Sequence, residues 1–157
     1  MITTPPSSGC CSCGNVAFDI AQKPLLRTYC HCTICQKFNN APYADILIYD
    51  GKAIEAPIES SINYKSHKAH SPILRGKCSN CDDPILEKTV SGPSLWIVPV
   101  SAYSNKADLP EPVAHIFYET RIADVDDNYP KHNGALKSYF VLGKHLLTAK
   151  IFKGRRT

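Results

Sequence analysis

Cysteines carry most of the chemistry that this sequence offers. Seven of the eight cysteines fall into three short groups, "CSCG", "CHCTIC" and "CSNC". The members of these groups are Cys11 and Cys13, then Cys30, Cys32 and Cys35, then Cys78 and Cys81. Short spacings of this kind bring sulfurs close enough to bind one ion, and zinc takes four thiolate or imidazole ligands in a tetrahedron. The spacing therefore predicts metal ligands.

The first and last groups together supply four sulfurs, enough to complete one tetrahedral site. Pairing Cys11 and Cys13 with Cys78 and Cys81 closes a loop of more than sixty residues. An ion that closes so long a loop restricts the unfolded chain, and its binding energy becomes folding energy. We therefore predict a closed structural zinc site formed by these four cysteines.

The middle group has three cysteines and no evident fourth partner. A zinc ion with three protein ligands and one open position is typical of catalytic sites. The open position can bind water or a thiol, and zinc lowers the pKa of the group that it binds. We therefore predict a catalytic zinc on Cys30, Cys32 and Cys35. A second closed structural site, completed by a ligand that the spacing does not reveal, is the main alternative.

Other residues near these groups have competing interpretations. His31 lies between two predicted ligands, so we expect its side chain to point away from the metal. Cys10 adjoins Cys11, and we expect a small buried hydrophobe there rather than a ligand. A redox role for "CTIC" is disfavoured because the βαβ pattern of thioredoxin-like proteins is missing around it.

Composition and charge restrict the class of protein. The chain has 157 residues, 43% hydrophobic and 20% charged, which is typical of one globular domain. No apolar run approaches the roughly 20 residues of a membrane-spanning helix, and "MITTPPSSG" does not resemble a signal peptide. We therefore expect a cytoplasmic or nuclear protein, in a reducing compartment where clustered cysteines bind metal. The net charge of +4 is modest and comes partly from the tail "KGRRT" and partly from scattered lysines. No stripe of Arg and Lys with interleaved aromatic residues appears, so we expect no nucleic-acid partner, and we expect no membrane partner either.

Short alternating segments predict the elements that position the cysteines. Expected strands are 15–20, 43–49, 94–100, 113–119 and 138–143, and a short helical turn is expected after Cys32. Twelve prolines mark the connections, and no long apolar pattern with a 3.6-residue period is evident. We therefore predict a single, mainly β domain. Its expected parts are a flexible segment 1–8, a zinc domain 9–134 and an extension 135–157 that packs on or flanks the domain.

Several segments resemble one known family. "GCCSCGNVAF", "YCHCTICQK" and "RGKCSNCDDPIL" are similar, in this order, to the glutathione-dependent formaldehyde-activating enzymes, whose domain is also called centromere-protein-V-like. "PVAHIFYETR" and "DDNYPKHNG" resemble the C-terminal half of that domain, so the resemblance covers residues 9–134. It implies an Mss4-like zinc-binding β fold with two zinc ions per chain. The structural zinc would lie on Cys11, Cys13, Cys78 and Cys81, and the catalytic zinc on Cys30, Cys32 and Cys35.

The resemblance also implies an activity. The expected enzyme is a carbon–sulfur lyase that joins glutathione and formaldehyde into S-hydroxymethylglutathione, or splits that adduct. The thiol would lose its proton at the open zinc position and add to the carbonyl carbon. Three thiolates on a dication leave a charge of about −1 at the site, and Lys37 is the candidate cation to offset it. A solvated surface lysine is the simpler interpretation of Lys37.

The sequence departs from the family pattern in three places. Asp82 stands where the family has glycine after the last cysteine, an aromatic residue near "TRIADV" is absent, and Cys10 is additional. Aspartate tolerates the left-handed conformation better than most residues, so we expect the turn at Asp82 to survive. These departures bear on the substrate more than on the fold. A related lyase or hydrolase for another thiol adduct, and a non-enzymatic zinc module that binds a protein or nucleic-acid partner, stay open as alternatives.

Overall fold

A computed structural model describes residues 7–154, which group into two compact units. The first unit contains residues 7–24 and 48–109, and the second contains 25–47 and 110–154. The strands and α-helices in this part of the chain are, in order, β1 (Ser7–Cys10), β2 (Ala17–Ile20), β3 (Leu26–Cys30), α1 (Thr33–Asn39), β4 (Ala44–Asp50), β5 (Ile62–Lys65), β6 (Ile73–Cys78), β7 (Pro84–Thr89), β8 (Leu95–Pro99), β9 (His115–Ile116) and α2 (Ala135–Gly154). The expected mainly β class is confirmed.

The first unit is built from antiparallel strands. β1 and β2 form a hairpin, with Ser7 opposite Ile20. β5, β6, β7 and β8 lie side by side in that order. Every residue of β8 is buried, so its sequence is a continuous apolar run rather than an alternating one. The core of this unit lies around β7 and β8, where Ile85, Leu86 and Val98 are fully buried.

Gly76 in β6 packs closely against neighbouring strands, two residues before Cys78 of the last cysteine group. A Cβ atom on Gly76 would lie 2.7 Å from the backbone oxygen of Leu86 and 2.5 Å from a methyl carbon of Ile62. Directly after Gly76 the pairing of β6 with β7 shifts register. Such irregularities bend a strand and redirect the side chains that follow. Here the side chain that follows Lys77 is that of Cys78.

A buried ion pair crosses β6 and β7, and we expect its loss to destabilise the first unit. Arg75 Nε lies 3.0 Å from Glu87 Oε2, with the two side chains only 8% and 2% exposed. Glu87→Gln keeps the volume but leaves a buried guanidinium without its counter-charge. Breaking such a pair typically costs about 3–5 kcal/mol, and urea denaturation should show a loss of this order in the free energy of unfolding.

The matched control for this prediction is Glu59→Gln. Glu59 pairs with Lys88 at 3.6 Å, but its side chain is 84% exposed. Surface pairs contribute about 0–1 kcal/mol, so the control should unfold almost as wild type does. Equal effects of the two substitutions would contradict a stabilising role for the buried pair.

The second unit carries the middle cysteine group between a strand and a helix. β4, of which the first part belongs to this unit, lies beside β3, and β3 lies beside β9. β3 and β9 are parallel, with Cys30 opposite Ile116. α1 begins directly after Cys32 and ends before Asn40, whose backbone is left-handed at φ 48°. The helical turn expected after Cys32 is therefore confirmed.

The remaining predictions of secondary structure had mixed outcomes. Strands expected at 15–20, 43–49 and 94–100 correspond to β2, β4 and β8. The strand expected at 113–119 shrinks to the two residues of β9, because Phe117 adopts a left-handed backbone at φ 51°. The strand expected at 138–143 is wrong, since these residues lie in α2. Apolar and charged residues are mixed around that helix, so its sequence shows no clear 3.6-residue period.

The terminal segments are only partly described. In the predicted flexible segment 1–8, residues 1–6 lie outside the described residues, whereas Ser7 and Ser8 begin β1. In the predicted extension 135–157, α2 accounts for all but residues 155–157, which also lie outside them. α2 packs against β3, and the Ser138 hydroxyl accepts a hydrogen bond from Phe117 N at 2.9 Å. Between residues 7 and 154, no helix has the length and apolar character needed to cross a membrane.

Candidate functional site

The structure brings the first and last cysteine groups together in the first unit. The Sγ atoms of Cys11, Cys13, Cys78 and Cys81 all lie within 4.8 Å of one another. Cys13 Sγ is 3.5 Å from Cys11 Sγ and 3.7 Å from Cys78 Sγ. Metal–sulfur bonds of about 2.3 Å in a tetrahedron place the sulfurs about 3.8 Å apart, whereas a disulfide needs about 2.05 Å. The four free thiols are therefore spaced to hold one tetrahedral metal ion.

Tight turns place these four sulfurs. The first turn follows β1 and includes Gly14, whose positive φ of 76° suits glycine. The second turn follows β6, where Asp82 N donates to Cys78 O at 3.0 Å. Asp82 adopts the left-handed conformation at φ 62°. The turn therefore forms with aspartate at this position, as expected.

Hydrogen-bond donors point at the sulfurs of this four-cysteine cluster. Val16 N donates to Cys11 Sγ at 3.2 Å, and Asn80 N donates to Cys78 Sγ at 3.4 Å. The Asn15 side-chain amide also donates to Cys78 Sγ, at 3.7 Å. Such outer contacts orient metal ligands and stabilise negative charge on sulfur.

The middle group forms a second cluster in the second unit. The Sγ atoms of Cys30, Cys32 and Cys35 lie within 4.8 Å of one another. Cys30 and Cys35 are buried, and Cys32 is half-buried at the start of α1. Among residues 7–154, no histidine, cysteine or carboxylate supplies a fourth ligand atom to this three-cysteine cluster. These three sulfurs could hold one metal ion and leave a coordination position open.

Burial and neighbouring groups shift the thiol pKa values in both clusters. Contacts with its two neighbouring sulfurs, followed by burial, raise the pKa of the Cys30 thiol well above its usual range. Burial raises the pKa of Cys11 to about 11, whereas hydrogen bonds led by the Asn80 side chain lower that of Cys13 to about 6. Sulfurs this close repel one another as thiolates. They can all ionise together when a metal ion lies among them.

Of the three residues beside the clusters for which a prediction was made, His31, Cys10 and Lys37, only Cys10 differs from it. His31 does not join the three sulfurs, and its Nε2 lies 2.9 Å from His115 Nδ1. Burial lowers the pKa of His31 to about 4, so this ring is neutral at pH 7. Cys10 is exposed, so the expected buried hydrophobe is wrong, because alternation along β1 buries Gly9 and turns Cys10 outward. Lys37 is exposed in the last turn of α1, as a solvated lysine would be.

The mainly β fold and the two cysteine clusters define a class of β proteins with sulfur sites suited to zinc. The sequence profile of the family described as glutathione-dependent formaldehyde-activating enzyme matches residues 6–120. The chain therefore belongs to this family. Residues 121–157 lie beyond the match.

One solved structure supports the fold. It is the crystal structure of a Rhodobacter sphaeroides protein that is 18% identical to this chain, with a TM-score of 0.52. The alignment covers 67% of this chain and 96% of that chain. At this identity the likeness concerns the fold alone. No curated protein sequence matches the chain.

Proposed function

We propose that this protein is a zinc-dependent carbon–sulfur lyase that forms or splits S-hydroxymethylglutathione. The observation that carries the proposal is the three-cysteine cluster, with Cys32 half-buried and no fourth ligand atom among the described residues. Membership of the formaldehyde-activating family supports glutathione and formaldehyde as substrates. A cytoplasmic or nuclear location stays a prediction.

The proposal includes two zinc ions per chain with different roles. The four-cysteine cluster has every tetrahedral position filled by sulfur, which suits a structural ion. The three-cysteine cluster would hold the catalytic ion, which supplies a Lewis acid that lowers the pKa of a bound thiol. In the net reaction an S–C bond forms, the π bond of the carbonyl breaks, and the thiol proton passes to the carbonyl oxygen.

The residues of the second unit would hold this site in place. The carbonyl oxygen of His31 accepts from Gln36 Nε2 at 2.7 Å and from Thr120 Oγ1 at 2.8 Å. Cys35 N donates to Cys32 Sγ at 3.3 Å. These bonds fix the main chain before and after Cys32, so a thiol bound beside the half-buried sulfur would be held in a defined position.

A second candidate function is a non-enzymatic zinc module that binds a macromolecular partner. The observation that favours it is the outer face of α2, where Leu136, Phe140 and Leu147 are 85%, 72% and 64% exposed. Clustered apolar side chains of this size often mark contact surfaces. This candidate predicts no chemistry at the three-cysteine cluster.

Metal content is the first test of the proposal. Protein purified without added metal should contain about two equivalents of zinc, one for each sulfur cluster. A chelator should remove the second equivalent more readily, because fewer ligands hold it. Both should bind more weakly as the pH falls, since protons compete for the thiolates. A folded protein with no metal would contradict the proposal.

The response to glutathione is the decisive test. Glutathione should change the visible absorption of the cobalt-substituted protein, whereas S-methylglutathione, which has no free thiol, should not. Formaldehyde and glutathione together should give S-hydroxymethylglutathione faster than the uncatalysed background. A spectral change without rate enhancement would assign the site to another thiol adduct. No spectral change with any small thiol would favour the partner-binding module.

A further inference from the structure

A chain of hydrogen bonds runs from the ring of His31, the residue between Cys30 and Cys32, toward the surface of the second unit. His31 Nε2 lies 2.9 Å from His115 Nδ1, and His115 Nε2 lies 2.9 Å from Asp127 Oδ2. The two histidines are 1% and 0% exposed, whereas the Asp127 side chain is 24% exposed. Lys131 Nζ donates to Asp127 Oδ1 at 2.8 Å. The chain therefore links a buried ring to a carboxylate that reaches solvent.

The carboxylate at the outer end gives the chain a direction. Burial acts to raise the pKa of Asp127, but hydrogen bonds led by those from Lys131 and His115 lower it to about 2. An ionised carboxylate only accepts hydrogen bonds, so His115 donates from Nε2. In the neutral ring, His115 Nδ1 is then an acceptor, and His31 donates to it from Nε2.

His31, which lies between Cys30 and Cys32, is held in place through its ring and through its main chain. The His31 ring lies against Tyr43 and Tyr118, with centroids 4.8 and 5.0 Å away. Its backbone N donates to Ile116 O at 3.0 Å, while its carbonyl oxygen accepts the two bonds described above. The peptide between Cys30 and Cys32 therefore has little freedom to rotate.

We propose that His115, oriented by Asp127, is a positioning residue for the three-cysteine metal site. By fixing the His31 ring, His115 fixes the loop that carries Cys30 and Cys32 and holds the sulfurs together before the metal binds. Ordering the ligands in advance lowers the entropic cost of binding. Outer partners of metal ligands typically contribute about 10–100-fold to metal affinity. The inference rests on the proposed metal site in this cluster.

Two amide substitutions separate the two hydrogen bonds of His115. The amide of His115→Asn reaches the position of Nδ1, so it keeps an acceptor for His31 and loses Asp127. The amide of His115→Gln reaches the position of Nε2, so it keeps a donor to Asp127 and loses the acceptor for His31. Asp127→Asn tests the outer end of the chain without altering a buried ring. His67→Gln, at an exposed histidine of the first unit, is the matched control.

The measurement is the affinity for each of the two equivalents of cobalt, by competition with a chromophoric chelator. For the second equivalent, we expect His115→Gln to weaken binding by about 10–100-fold, and His115→Asn and Asp127→Asn by less than about tenfold. The affinity for the first equivalent of cobalt, in the four-cysteine cluster, should be the same in all variants as in wild type. This result would show that the variants fold. His67→Gln should change neither.

Three results would overturn the inference. One is wild-type affinity for the second equivalent in His115→Gln. Another is equal weakening by His115→Gln and His115→Asn, which would indicate general packing rather than the bond to His31. The third is a wild-type protein that binds only one equivalent, which marks failure of the proposed metal site itself and removes the inference with it.

Discussion

Cys78→Ser is expected to leave the protein unable to reach a stable fold. Cys78 is 1% exposed at the end of β6, and its sulfur lies 3.7 Å from Cys13 Sγ. Structural zinc contributes about 10–16 kcal/mol of binding free energy in small zinc domains. This is comparable to the whole stability of a typical domain, about 5–15 kcal/mol. Soluble yield and thermal unfolding followed by circular dichroism should both show the loss.

Cys10→Ser is the matched control for this experiment. It makes the same chemical change at an exposed thiol, whose sulfur lies 3.9 Å from Ser104 Oγ. Substitutions away from buried features usually change stability by less than about 0.5 kcal/mol. If both variants melt at the same temperature, the four-cysteine cluster does not stabilise the fold.

Cys32→Ser is expected to abolish catalysis while the fold remains. Cys32 caps the start of α1 by accepting a hydrogen bond from Cys35 N, and serine is a favourable residue at such a cap. The substitution should therefore spare the helix and remove one of three metal ligands. The rate of S-hydroxymethylglutathione formation should fall to the uncatalysed background, and zinc content should fall from about two equivalents to about one.

Thr33→Ser is the control for this second experiment. Thr33 is the exposed residue that follows Cys32, so the change is small and adjacent and leaves all three cysteines in place. Its activity and zinc content should match those of wild type. Catalysis that persists in Cys32→Ser with one zinc equivalent would show that the reaction occurs away from the three-cysteine cluster.

The grouping of the cysteines could be predicted because most of the information is local. A spacing of two or three residues places sulfurs side by side in almost any turn. Four-coordinate zinc then requires that Cys11 and Cys13 find two more sulfurs, which Cys78 and Cys81 supply. The coordination number of zinc therefore predicted which distant cysteines lie together. The structure brings together the same two sets of cysteines, the four-cysteine cluster and the three-cysteine cluster.

The secondary structure was harder to predict where buried charges or mixed composition obscured the hydrophobic periodicity. β6 and β7 carry Arg75 and Glu87 at buried positions, so their alternation does not read as that of half-buried strands. α2 has apolar and charged residues mixed around the helix, so neither a helical nor a strand period stands out in its sequence. The buried ion pair places charge inside the first unit, and the exposed apolar side chains of α2 lie outside the core, so both depart from the simple rule of apolar inside and polar outside.

The histidine chain could not be predicted at all. His31 and His115 are 84 residues apart, and no spacing rule relates two single histidines over that distance. Parallel pairing of β3 with β9 brings them together, because Tyr29 lies opposite His115 in this pairing. β9 has only two residues, too few for a sequence pattern to predict a strand.

The position of Asp127 also affects how the protein can be shortened. The family match ends at residue 120, so a fragment cut there would keep both histidines but lose the carboxylate that orients them. The same cut would remove the backbone bonds from His115 N to Pro130 O and from Tyr118 N to His132 O. The border of the family match therefore falls inside a set of hydrogen bonds that connects residues 115–132. Expression fragments and domain fusions of this protein need to extend past residue 132.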